Sequence, residues 1–189
     1  MSNHARGLWG YSGETPAGKG LTVQATGMGG PSAAMVLSDL GKLGVRRAVR
    51  VGTCAGLDAE TKMGELLIVS EAVAEGGSAA DFGLARGDAA LPDPDLCERL
   101  WQELDREART VRIASFDSLP VDPGSAPAGV AAADMQTVAV LAAGRRLGIA
   151  VGAVLAVSEA GGRRLSDADL EGAAKRAGQA ARAVLSGSS

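Results

Sequence analysis

Residues 47–58 read RAVRVGTCAGLD, an apolar run in which one permanently charged side chain, Arg50, stands between two valines. Strands of a parallel sheet that are covered on both faces read as nearly continuous apolar sequence. A guanidinium inside such a run must be paired with a carboxylate, solvated at the end of the strand, or directed at a ligand. The stretch therefore predicts a buried strand, and it makes the environment of Arg50 the first question about function.

Strand and helix signals alternate on both sides of this run. Upstream, LTVQAT (21–26) is typical of a strand and passes through a glycine turn, GMGGPS (27–32), into residues with the apolar spacing of a helix. Downstream, the pattern predicts strands at 65–76, 110–116 and 149–159, and helices at 95–108, 132–148 and 166–185. The last helix has Ser166 as its N-cap, and its apolar stripe is predicted at Leu170, Ala174, Ala177, Ala181 and Leu185. This order predicts an α/β domain around a mostly parallel sheet, with ligands beyond the carboxyl ends of the strands.

Composition excludes several classes of function. The 22 acidic and 19 basic residues give a net charge of -3, and the chain has no Lys/Arg block and only 3% aromatic residues, which argues against nucleic-acid binding. No apolar stretch approaches the roughly 20 residues that cross a bilayer, so no membrane partner is expected. Cys54 and Cys97 are far apart and lack metal-ligand spacing, which favours a reducing, cytoplasmic environment. With 189 residues, one domain over 1–189 is expected, and 186–189 (SGSS) reads as a disordered tail.

The glycine turn has two interpretations. Gly27, Gly29 and Gly30 give G-x-G-G, a weak match to the dinucleotide-binding pattern G-x-G-x-x-G. The glycines and Pro31 can simply build a tight turn into the first position of a helix. They can also place backbone N–H groups near an anionic ligand at the helix N-terminus.

Arg50 and Thr53 form the second candidate. If the strand ends near Gly52, a guanidinium and a hydroxyl donor lie close together, and both suit phosphate oxygens. The alternative is that Arg50 pairs with an internal carboxylate such as Asp117 or Glu159. The spacing of the residues leaves both interpretations open.

Two further groups of polar residues follow near the end of the chain. Asp134, Met135 and Gln136 stand at the start of a predicted helix, and Ser158 and Glu159 stand at the end of the last predicted strand. Structural roles are available for each group, with Asp134 as an N-cap, Met135 in the core and Glu159 as a solvated strand end.

The order and spacing of these four groups resemble those of the family of purine nucleoside phosphorylases, uridine phosphorylases and related nucleosidases. Three segments resemble its strand-turn-helix, its phosphate strand with the following segment, and its ribose motif with the last strand. They are TVQATGMGGPSAAMVLSDL (22–40), VRVGTCAGLDAETKMGELLIVSEAVAEGGSA (49–79) and ADMQTVAVLAAGRRLGIAVGAVLAVSEA (133–160). The resemblance spans about residues 9 to 186. It implies a three-layer α/β fold with a central mixed sheet flanked by helices.

The resemblance also implies a reaction, the phosphorolysis of a purine-type nucleoside to free base and ribose 1-phosphate by a pentosyltransferase. Inorganic phosphate would be the co-substrate, with no metal and no organic cofactor, and the enzyme would be a homo-oligomer. The implied roles are phosphate binding by Arg50, Thr53 and Gly29, ribose binding by Met135 and Gln136, a base pocket with Ser158 and Asp134, and protonation of the leaving base by Glu159.

The sequence departs from the family at several points. The family has an earlier strand with a G-D-P-x-R-type loop that supplies a second phosphate arginine, and this chain begins after it, so low turnover is expected. Gln136 stands where the family has a ribose-binding glutamate, and Glu159 stands where purine-specific members have an aspartate. Residues 113–129 lack the glutamine and arginine with which uridine phosphorylases read uracil. An N-ribosyl hydrolase that uses water, and a non-catalytic nucleoside- or anion-binding protein, remain the alternatives.

Overall fold

The apolar runs of the sequence form a mixed seven-stranded sheet with helices against both faces. The computed structural model describes residues 7–15, 18–119 and 123–187. The strands are β1 (Gly10–Glu14), β2 (Gly20–Gln24), β3 (Arg47–Gly56), β4 (Leu66–Ala74), β5 (Ala89–Ala90), β6 (Arg109–Ser115), β7 (Ala132–Asp134), β8 (Ala150–Ala160) and β9 (Arg163–Arg164). The helices are α1 (Gly30–Lys42), α2 (Pro94–Glu103), α3 (Thr137–Leu147) and α4 (Asp167–Ser186), with 3-10 turns at Gly77–Phe82 and Pro123–Ser125.

The sheet runs in the order β5-β4-β6-β7-β3-β8-β9, and β1 and β2 form a separate hairpin that the sequence did not predict. Strand pairs β4–β6, β6–β7 and β3–β8 are parallel, and the others are antiparallel. Residues 66–68 of β4 also pair with residues 154–156 of β8, so five strands, β4, β6, β7, β3 and β8, close into a ring. The predicted three-layer α/β fold with a mixed sheet is confirmed.

Strand β8 shows why its sequence is almost uncharged. Val151, Ala153 and Leu155 pack into the core beneath α1 and α3, while the alternate residues Val154 and Ala156 pack into the core beneath α2 and α4. Successive side chains of a strand point to opposite faces, so both sets must be apolar when helices cover both faces. Full burial of one such Val or Leu side chain stabilises the fold by about 1.5–3 kcal/mol.

The helix predicted at 95–108 ends already at Glu103, and three further predictions also differ from the structure. The helix predicted at 132–148 begins at Thr137, because residues 132–134 instead complete the sheet between β6 and β3. The stripe of α4 runs through Ala173, Ala177, Ala180, Ala181 and Val184, and Ala174 is exposed. The predicted tail 186–189 begins inside α4, since Ser186 is its last residue, and 188–189 lie outside the described residues.

Strand β3 leaves part of one edge open. It pairs with β8 along its whole length, but among the described residues it pairs on its other side only at Ala55 and Gly56. A groove of about 820 Å³ runs along the open edge, between β2, α1, β3 and α4. None of the described helices is both long enough and apolar enough to span a bilayer.

Candidate functional site

Arg50 points from the middle of β3 to the start of α3, and its side chain is only 10% exposed. Its Nε donates to Thr137 Oγ1 at 3.0 Å, its Nη1 to Gln136 Oε1 at 2.6 Å, and its Nη2 to Asp134 Oδ2 at 2.8 Å. Arg50 is therefore paired with an internal carboxylate, as one interpretation of the sequence required. The partner is Asp134, and neither Asp117 nor Glu159 fills that place.

Asp134 is 1% exposed, and protein donors surround its carboxylate. Oδ1 accepts from Ser115 Oγ at 2.5 Å, and Oδ2 accepts from Thr137 Oγ1 at 2.7 Å and from Thr137 N at 3.0 Å, besides Arg50. Asp134 was expected as the N-cap of α3, but the N-cap residue is Gln136. From the end of β7, two residues earlier, the Asp134 carboxylate accepts from the backbone N–H groups of Gln136 and Thr137. Because a carboxylate offers about four acceptor positions, these contacts leave no room for a base, and the structure does not place Asp134 in a base pocket.

Gln136 connects this network to the glycine turn. It is 7% exposed, and its Nε2 donates to the carbonyl oxygen of Gly27 at 2.7 Å. Thr26, directly before this turn, directs its hydroxyl toward Gln136 Oε1 at 3.5 Å, and its carbonyl accepts from Ser32 Oγ at 2.6 Å. The turn between β2 and α1 is thereby joined to Arg50 through one side-chain amide.

The turn itself requires glycine. Gly27 has φ +71°, and a Cβ there would lie 2.8 Å from Ser32 Oγ. Gly29 has φ +79° and precedes α1, whose first turn contains Pro31. The tight-turn interpretation is confirmed, and anion binding by the Gly29 region remains a prediction.

The structure does not bring Thr53 beside Arg50. A Cβ built on Gly52 would lie 2.7 Å from the guanidinium carbon of Arg50, so positions 50 and 52 share one face of β3. Residues alternate between faces along a strand, and Thr53 is exposed on the opposite side. The expected meeting of a guanidinium and a hydroxyl depended on a strand that ends near Gly52, whereas β3 continues to Gly56.

Ser158 and Glu159 lie where β8 runs beside the end of β3. Ser158 Oγ donates to the carbonyl oxygen of Cys54 at 3.1 Å, and Glu159 pairs in register with Ala55 after an irregularity in β3. The Glu159 carboxylate is 32% exposed and lies 3.6 Å from Arg164 Nε. It is a partly solvated carboxylate at a strand end, as its structural interpretation held, and it remains accessible to a ligand.

Three residues near Arg50 were not among the candidates from sequence. Ser115 in β6 and Thr137 in α3 both donate to the Asp134 carboxylate. Only Thr137 could have been recognised as a candidate from the sequence, because it directly follows Gln136. Cys54 lies on the same face of β3 as Arg50. Burial, and then the nearby charge of Asp134, raise the pKa of its thiol far above the ordinary value, so Cys54 is not a nucleophile at neutral pH.

Met135 is half-buried between Asp134 and Gln136 and precedes α3. In the described ranges, no three His, Cys, Asp or Glu side chains come together as a possible metal site.

The fold and the positions of these motifs match a known class of proteins. The chain belongs to the phosphorylase superfamily, whose family model matches residues 2–188. A guanosine phosphorylase from Halorubrum lacusprofundi is 31% identical over 166 residues, which cover 82% of this chain and 68% of that protein. DeoD-type purine nucleoside phosphorylases from Bacillus cereus and Bacillus thuringiensis are 27% and 26% identical, each over 83% of this chain and 70% of the relative.

Proposed function

We propose that this chain catalyses the phosphorolysis of a purine-type nucleoside, giving free base and ribose 1-phosphate. The observation that carries the proposal is the buried Arg50, which Asp134, Gln136 and Thr137 hold in one orientation beside the glycine turn. Similarity to phosphorylases of guanosine and of purine nucleosides supports the same reaction class. The reaction uses inorganic phosphate as co-substrate and needs neither a metal nor an organic cofactor.

Phosphate binds at Arg50 in this proposal. A guanidinium has five N–H donors, and the three contacts described within the site use three of them. One N–H on each terminal nitrogen is left, which suits two oxygens of a phosphate. Gly29, before the first turn of α1, offers backbone N–H groups of the kind that bind anions. The exposed Thr53 on the other face of β3 is a weaker candidate for this contact.

Met135 and Gln136 hold the ribose, Met135 by packing and Gln136 by the second N–H of its amide. A phosphate oxygen forms a bond to the anomeric carbon as the bond from that carbon to the base nitrogen breaks. The carboxyl group of Glu159 gives its proton to the departing base, beside Ser158. Such proton transfer to a leaving group typically contributes 10²–10⁴-fold to the rate.

Base release from inosine, guanosine or adenosine with and without phosphate tests this proposal. We expect release only with phosphate, and release by Glu159→Gln that is about tenfold slower or more. Glu171→Gln, on the exposed face of α4, is the matched control and should behave as the unmodified protein. Release without phosphate would instead make the chain an N-ribosyl hydrolase. Nucleoside binding without release would make it a binding protein.

We also propose that the chain self-associates. The open edge of β3 beside a groove of about 820 Å³, together with the 66% exposure of Val23, supports this, because unpaired edges and apolar surface tend to be covered. Light scattering at high protein concentration should give a mass above that of one chain. A strictly monomeric mass would contradict it.

The proposal places the reaction in the cytoplasm. Cys54 and Cys97 are both free thiols, which suits a reducing compartment.

A further inference from the structure

We propose that Gln136 is a positioning residue whose amide holds residues 26–30, the Gly27 turn, against Arg50. The guanidinium of Arg50 and the backbone N–H groups near Gly29 are then already in place when the anion binds. The inference rests on the proposed function only in taking phosphate as the anion. It concerns one N–H of the amide, and the other N–H stays available to the ribose.

The contacts of Gln136 require both a donor and an acceptor on the same side chain. Oε1 accepts from Arg50 Nη1 at 2.6 Å, while Nε2 donates to the Gly27 carbonyl at 2.7 Å. Because Gln136 is only 7% exposed, water does not readily take the place of Arg50 or of the Gly27 carbonyl as its hydrogen-bond partner. An amide satisfies both neighbours at once, and the Arg50 contact fixes which end of the amide faces the turn.

A glutamate, which the resemblance implies at position 136, cannot make this pair of contacts. Its carboxylate would pair with Arg50, but its second oxygen would face the carbonyl oxygen of Gly27, and an ionised carboxylate has no proton to donate. Two acceptors at 2.7 Å repel each other, so the turn would move away. The glutamine is therefore suited to this turn, and the substitution toward the family residue should damage the site.

Few other contacts fix the conformation of the Gly27 turn. Its glycines adopt positive φ, a conformation that costs glycine little and constrains it little. Ser32 holds the Thr26 carbonyl from α1, but the bond from Gln136 to Gly27 connects the turn to β3 and α3. Loss of that bond should loosen the turn more than it loosens the sheet.

Amide hydrogen exchange of residues 26–30 in the protein without ligand is the test. The variants are Gln136→Met, which removes the amide's bonds to Arg50, Gly27 and Thr26 without adding charge, and Gln136→Glu. Gln179→Glu, on the exposed face of α4, is the charge-matched control. We expect about tenfold faster exchange of the turn in both Gln136 variants, and wild-type exchange in the control. Wild-type exchange in Gln136→Met would overturn the proposal.

Calorimetry with phosphate and with inosine adds a readout that loss of stability alone would not give. Without nucleoside, the phosphate affinity of Gln136→Met should fall about tenfold, whereas a residue that only binds the ribose would leave it unchanged. Inosine affinity should fall as well, because methionine has no N–H for the ribose. Tighter inosine binding by Gln136→Glu, with an unchanged turn, would show instead that position 136 serves the ribose alone. Because the exchange experiment needs no turnover, its result stands whether or not base release is observed.

Discussion

Asp134→Ala is expected to lower the free energy of unfolding by about 3–5 kcal/mol, the cost of leaving a buried charge without its partner. Arg50 would keep its charge at 10% exposure, and the hydroxyls of Ser115 and Thr137 would lose their acceptor. Urea denaturation followed by circular dichroism measures the change. Asp39→Ala is the control, since the Asp39 side chain is 41% exposed in its pair with Lys42 and should change stability by no more than about 0.5 kcal/mol.

The combination with Arg50→Met shows whether the charge is the cause. Removing the guanidinium as well removes the unpaired ion, so the double variant should be more stable than the sum of the two single effects predicts, by roughly 1–3 kcal/mol. Strict additivity would mean that Arg50 and Asp134 do not act as a pair, despite the 2.8 Å between Nη2 and Oδ2.

Arg50→Lys is expected to weaken phosphate binding by roughly tenfold to a hundredfold, because a charge-assisted hydrogen bond contributes about 1.5–3 kcal/mol. Lysine keeps the positive charge but loses the planar fork, which here holds three protein acceptors and offers two further N–H groups. With purine nucleosides, base release should slow by about 10²–10³. Phosphate calorimetry and base release under saturating nucleoside measure the two effects.

Arg86→Lys is the matched control for this change. Arg86 pairs with Glu75 at a position where its own side chain is 74% exposed, and the substitution should alter neither phosphate affinity nor base release. Equal phosphate affinities in Arg50→Lys and in the unmodified protein would reject Arg50 as the anion ligand. A comparable loss in both variants would point to an effect of arginine replacement that is not specific to position 50.

The sequence predicted the strands that are buried on both faces, because their composition follows from burial alone. Strand β8 needed apolar residues over its buried positions 151–157. The start of the helix at residues 167–186 was indicated by the Ser166 N-cap, which the bond from Asp169 N confirms. The glycine turn was also predicted, since the positive φ of Gly27 and Gly29 leaves few alternatives to glycine.

The partners of Arg50 could not be predicted, because they depend on which strands become neighbours. Asp134 is 84 residues from Arg50 along the chain, and it reaches Arg50 only because β7 enters the sheet beside β3. The three residues of β7 are too few to show a period, so their sequence was read as the start of α3. The prediction that Thr53 lies beside Arg50 was wrong for a related reason. Only the full length of β3 shows that side chains 50 and 53 point to opposite faces of the strand.

The ring of five strands joins segments of the chain that leave the ribosome at different times. Strand β8, at residues 150–160, pairs with β3, whose partner residues lie 103–104 positions earlier, and with the start of β4, whose partner residues lie 86–90 positions earlier. During synthesis, which adds roughly 5–20 residues per second, those two apolar strands therefore emerge well before the strand that joins them. Contacts so distant along the chain slow folding. Until residues 150–160 have left the ribosome, β3 and the start of β4 therefore lack the strand that pairs with them in the folded sheet.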